Sequence, residues 1–123
     1  LDMLLRVARV YLGNVRARSD LMVAQTRLMN ASHSSLPELA LYFADYDRRV
    51  RRDIAAAVRT FHADHGVGEW MDADSFAVVY VGMLRGIALQ HFVNPAAVDL
   101  DAALGTVERL CRLTLVPDNR VTG

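Results

Sequence analysis

Apolar residues along this chain recur at helical spacing in five runs, and no run shows the strict alternation of a half-buried strand. The first covers about residues 1–18, where Leu1, Leu4, Ala8, Tyr11 and Val15 share a stripe opposite Asp2, Arg6 and Arg9. A shorter helix follows from Asp20, with Leu21, Ala24 and Leu28 on its apolar side, and is expected to fray into the polar loop "NASHSS". The third helix is the longest. Ser35 and Glu38 are spaced as a capping box, with Pro37 in the first turn, where its missing N–H does no harm. Leu39, Phe43, Tyr46, Val50, Ile54, Ala57 and Phe61 then repeat at helical intervals until the glycines of "HGVGEW" stop the helix.

The fourth run, "SFAVVYVGMLRGIALQHFV", begins behind Asp72 or Asp74 as N-cap and ends at Asn94-Pro95. Plotted at about 100° per residue it has no polar face but two apolar stripes. Ser75, Val78, Val79, Gly82, Gly86, Leu89 and Val93 form one, and Phe76, Tyr80, Leu84, Ile87 and His91 form the other, with Met83 alongside. Each interior glycine costs a helix about 1 kcal/mol relative to alanine. Two glycines on one stripe therefore predict the close approach of another backbone.

The fifth helix opens at Asp99, aligns Leu100, Leu104, Val107, Cys111 and Thr114, and is closed by Pro117. The expected architecture is an all-α, five-helix domain over residues 1–117, followed by a tail at 118–123. The last two helices of each of two subunits would form a four-helix bundle about a twofold axis. Val78, Val79, Gly82, Gly86, Leu89 and Val93 would enter this interface from the fourth helix, and Leu104, Val107 and Cys111 from the fifth. In the competing arrangement the glycines face a neighbouring helix of their own chain.

Composition narrows the classes. Hydrophobic residues make up 53% and charged residues 23%, which places the chain among folded domains. Fourteen basic and fourteen acidic residues cancel, so bulk charge argues against a nucleic-acid or membrane surface. Every basic residue is arginine, a usage that fits a GC-rich bacterial genome. The lone cysteine, Cys111, excludes an internal disulfide framework and fits a reducing cytoplasm. The charge-free stretch 75–84 reads as too short to span a bilayer. The chain starts in mid-pattern, as a piece of a longer protein would.

The helix beginning "SLPEL" and the stretch "DADSFAVVYVGMLRGIALQHFVNPAAVDLDAALGTVERL" resemble the C-terminal regulatory domain of TetR-family transcriptional regulators. In that family an aspartate-capped helix with a Gly-x-x-x-Gly-like centre precedes "NPxxVDL" and a final amphipathic helix. The likeness runs from about Leu1 to Pro117, and it implies that the last two helices are the dimerisation pair. It also implies a repressor whose operator affinity falls when a small molecule fills this domain. The DNA-reading helix-turn-helix would lie in an N-terminal domain outside these residues. A freestanding helical homodimer, serving as an interaction or small-molecule carrier module, is the alternative.

A regulator of this kind needs a mostly apolar cavity with a few orienting polar groups. Tyr11, Tyr46, Val50, Phe76, Tyr80, Met83 and Ile87 supply inward-facing candidates, and Met22, Met29 and Trp70 are placed to close the ends. Tyrosine offers a large ring with a hydroxyl handle, and methionine adapts to irregular shapes. Arg85 is a candidate partner for a ligand carboxylate or, as a rim salt bridge, for Glu108. Asp53 is expected to pair with Arg49. His62 and His65 would need Asp64 or Glu69 to hold a metal, and they fall on the flank of their helix, so no metal or cofactor is expected. "DRRVRR" reads as a solvated, ion-paired face. Phosphate loops, nucleophile elbows and Glu-x-x-His pairs are missing, and catalysis is not expected.

Overall fold

The computed structural model describes residues 1–35, 37–65 and 71–115, with backbone alone for residues 19 and 31–35. These residues form α1 (Asp2–Ala17), α2 (Ser19–Ser35), α3 (Pro37–Asp64), α4 (Ala73–Val93), a 3-10 turn at Pro95–Ala97, and α5 (Leu100–Leu115). No strand occurs among the described residues. The all-α class read from periodicity is the class observed.

Helix α4 is the centre of the domain, packed on α3, α1 and α5, while α2 lies on α3 and α1 lies on α5. Its inward line of Phe76, Ala77, Tyr80, Leu84 and Ala88 meets Leu4, Ala8 and Val15 of α1, Ile54, Ala55 and Val58 of α3, and Val107, Cys111 and Leu115 of α5 in one core. Tyr80 is fully buried. Its hydroxyl donates to the Leu4 carbonyl and its ring lies 5.9 Å from that of Phe76. Helix α4 is long and apolar enough to cross a membrane by length and composition, with a mean hydropathy of 1.5 despite Arg85. The charge-free stretch 75–84 taken alone is too short for that. In this fold α4 is instead the helix on which the core is assembled.

Several faces differ from their expected positions. On α1, Leu5 and Leu12 complete the buried side and Tyr11 is only half-buried. On α2, Leu21, Ala24 and Leu28 are exposed, whereas Met22, Thr26 and Met29 turn inward, one or two positions on from the expected line. Helix α2 also continues through "NASHSS". Serine, asparagine and histidine cost a helix only tenths of a kcal/mol each, which packing on α3 readily overrides.

On α3 the inward line runs through Phe43, Ile54, Ala55, Val58 and His62, leaving Tyr46 exposed. His62, expected on the flank, is 2% exposed. Residues 66–70, the side chain of Ser35 and its capping box, Pro117 and the tail at 118–123 lie outside the described residues.

Aspartates start both late helices. The Asp72 carboxylate accepts from the Ser75 amide at 3.1 Å and the Ser75 hydroxyl at 2.5 Å, capping α4. Asp99 accepts from the amides of Asp101 and Ala102, both at 3.1 Å, and caps α5. The Ser75 hydrogen bonds hold the Asp72 carboxyl below its usual range, with Arg59 adding a weaker pull. A depressed folded-state value contributes stability above the unfolded value and loses it as pH falls through the folded one. Asp72→Ala is therefore expected to lower the urea midpoint at pH 7, with the gap to the parent closing as pH drops below about 4.

The arginine-rich face of α3 is solvated. Arg48 and Arg49 approach Asp45 at 3.8 and 3.3 Å, and Asp53 meets Arg52 at 3.9 Å instead of Arg49. Exposed pairs of this kind contribute about 0–1 kcal/mol each. Helices α1 and α5 are tied by Arg9–Glu108 and Arg16–Asp101, each at 2.8 Å.

Candidate functional site

A cavity of about 430 Å³ opens where α1, α2, α3 and α4 converge. Helix α1 contributes Tyr11, α3 contributes Phe43, Tyr46 and Asp47, and α4 contributes Arg85, Ala88, Leu89 and Phe92. The remaining wall is α2, with Met22 and Met29 beside the polar Gln25, Thr26 and Asn30. The turn-by-turn spacing of Met22, Thr26 and Met29 brings these three to one face. The same geometry lines up Phe43 and Asp47 on α3, one turn apart, and Arg85, Ala88, Leu89 and Phe92 on α4.

One ion pair sits in these walls. Arg85 Nη1 donates to Asp47 Oδ2 at 3.1 Å and Nη2 donates to Oδ1 at 2.5 Å, a two-pronged bridge from α4 to α3. The Asp47 hydrogen bond raises Arg85 further above its ordinary value, against the opposing effect of burial. Tyr11 and Tyr46 lie close enough to interact electrostatically with the same guanidinium. Burial pushes the Tyr11 hydroxyl up and Arg85 partly offsets it, so the phenol is neutral at physiological pH.

The site residues expected from sequence divide between places. Tyr11, Met29, Tyr46 and Met22 line the cavity. Val50 is half-buried against the core and does not line it. Tyr80 is core, its hydroxyl already committed. Phe76 and Met83 border a separate recess of about 390 Å³ near Cys111 and Thr114. Met83 and Ile87 also face a groove of about 440 Å³ between α4 and α5, lined by Gly82, Gly86, Ala103, Thr106 and Leu110. Trp70 lies outside the described residues.

The residues assigned to a partner face divide too. Val78, Val79, Leu89 and Val93 are exposed on α4. Among the described residues, a Cβ at Gly82 or Gly86 would meet nothing within 4 Å, so no described helix of the same chain presses on the glycines. Val107 and Cys111, by contrast, are buried in the chain's own core, because α5 turns that line toward α1 and α4. Leu104 is half-buried against the same core. The outward face of α5 carries Leu110 and Leu113 instead. Burial raises the Cys111 thiol above its usual value and leaves it a packing group.

Arg85 reaches Asp47, while Glu108 is taken by Arg9. Asp47, the first residue of the "DRRVRR" run expected to be a solvated face, turns inward instead. Its place one turn after Phe43 and two turns before Ile54 was the available signal that it faces inward. His65 stacks on Phe61 at 4.1 Å, and the ring nitrogens of His62 have no hydrogen-bond partner among the described residues. Among the described residues, no three His, Cys, Asp or Glu side chains gather as metal ligands would.

No curated protein and no solved structure gives a significant match to this sequence. Residues 1–116 match the family described as BetI-type transcriptional repressor, C-terminal. An all-helical chain, with its aspartate-capped central helix and its "NPxxVDL" junction, therefore belongs to the TetR-type regulators, as the C-terminal regulatory domain of a transcriptional repressor.

Proposed function

We propose that the cavity between α1, α2, α3 and α4 binds an apolar or aromatic small molecule, and that its occupancy releases a homodimeric repressor from operator DNA. The observation that carries this reading is the convergence of four helices on walls that mix aromatic and aliphatic surface with polar groups around one ion pair. A volume of about 430 Å³ falls in the range of small-molecule sites, roughly 300–1,000 Å³. A ligand acts as a switch only if it prefers one helix arrangement over another. Tyr11 brings α1 into the site, and α1 is the described element nearest in sequence to an N-terminal DNA-binding domain. The domain's role is regulatory, in the cytoplasm, and operator contact belongs to that N-terminal part.

The second half of the proposal is the homodimer. Val78, Val79, Gly82 and Val93 on α4, with Leu110 and Leu113 on α5, form an apolar face that the described residues of the single chain leave uncovered. Helices α4 and α5 of two subunits would cover it as a four-helix bundle.

Thermal shift against a panel of naphthalene-sized aromatic compounds tests the cavity. A ligand at about a hundred times its Kd adds about 2.7 kcal/mol to the folded state and raises the melting temperature by several degrees. Gln25 is exposed at the cavity wall, so Gln25→Trp is expected to keep the parent's unliganded melting temperature and abolish that rise. An undiminished rise in the variant would place the ligand elsewhere.

A further inference from the structure

We infer that this cavity selects a carboxylic acid carried on an apolar body, held by Arg85 while that residue remains paired with Asp47; the inference rests on the cavity being the effector site proposed above. A guanidinium has five N–H donors. Asp47 takes two of them. No other hydrogen-bond partner of Arg85 occurs among the described residues, which leaves three donors for whatever enters.

The exposure of the two partners is unequal. The Arg85 side chain is 41% exposed and that of Asp47 is 17% exposed, so the wall presents more cation than anion. Each Asp47 oxygen already accepts one bond from Arg85 and the carboxylate is the more buried partner, so an ammonium ligand reaches it less readily than a carboxylate reaches Arg85. A purely apolar ligand would strip water from the free guanidinium donors without replacing it, at about 1–3 kcal/mol for each donor left unpaired.

A carboxylate has the opposite effect. It supplies two acceptors matched to the guanidinium fork, and charge-assisted bonds of this kind are roughly twice as strong as neutral ones. Tyr11 and Tyr46 stand in the same walls with hydroxyls able to donate. Met22, Phe43, Ala88 and Phe92 provide the apolar surface for the ligand body. Asp47 then acts as an attenuator. It fixes the guanidinium in place, and it repels a second carboxylate on the same cation.

The test is calorimetric titration of the domain with 2-naphthoate, 2-naphthamide and 2-naphthylmethylamine, which share one ring system. In the parent, naphthoate is expected to bind about tenfold tighter than the amide, with the amine weakest. Arg85→Gln should bring naphthoate below the amide, because Asp47 is left in the wall without its cation, while leaving amide binding within about threefold. Asp47→Asn should tighten naphthoate by about tenfold, because it frees the cation. That variant decides the matter even if Arg85→Gln fails to fold. Amide binding in the parent with no advantage for the acid, or an amine that binds tighter than the acid, overturns the inference and leaves the cavity reading standing. If none of the three compounds binds, both fall.

Discussion

Placing glutamate at both Gly82 and Gly86 is expected to split the proposed homodimer into single chains without unfolding them. In one chain a Cβ at either position meets open space, so the new side chains have room. Replacing glycine inside a helix also removes a conformational cost of about 0.5–1 kcal/mol per site. The isolated subunit should therefore be at least as stable as the parent by urea denaturation.

At a twofold interface the balance reverses, since each substitution occurs twice. Four side chains forced into a close helix contact cost about 1 kcal/mol each or more, and their carboxylates must also lose water. Association should weaken by about a thousandfold or more. Sedimentation velocity reads the outcome directly. A parent that sediments as one chain at high concentration, or a double variant that still sediments as two, would sink the dimer proposal.

Tyr80→Ala is expected to be the most damaging single truncation in the described core. The side chain is fully buried, stacked on Phe76, and its hydroxyl donates to the Leu4 carbonyl. Emptying a buried aromatic site costs about 3–5 kcal/mol, a large share of the 5–15 kcal/mol that holds a domain of this kind together. Tyr80→Phe keeps the ring and loses only the hydrogen bond, at about 1 kcal/mol.

The pair of variants separates two roles for this residue. A core tyrosine gives the large loss on removal of the ring and the small one on removal of the hydroxyl, both in urea midpoints without ligand. If Tyr80→Ala costs under about 1 kcal/mol, the ring belongs to a ligand cavity, as its sequence position first suggested, and not to the core.

The cavity was partly legible. Tyr11, Met29 and Tyr46, chosen for residue type and helical position, do line one wall system. Phe76, Tyr80, Met83 and Ile87 shared the same credentials and went to the core or to the α4–α5 side. An aromatic residue on an inward stripe looks the same in sequence whether the space opposite is filled or empty. The Arg85–Asp47 bridge was out of reach for a related reason. Its partners lie 38 residues apart, and nothing local says which helix arrives opposite.

What the sequence by itself determined is the set of elements: five helices, their period, the aspartate starts of α4 and α5, and membership in a regulator family. These follow from local backbone geometry and short-range hydrogen bonds, which are written in consecutive residues. Only the tertiary structure decided which positions near the edge of each stripe turn inward: Leu12 rather than Tyr11, Asp47 and His62 rather than Tyr46, and Val107 and Cys111 into their own core. A stripe at 3.6 residues per turn has soft margins about a residue wide, and the crossing of one helix over another settles which side of the margin is buried.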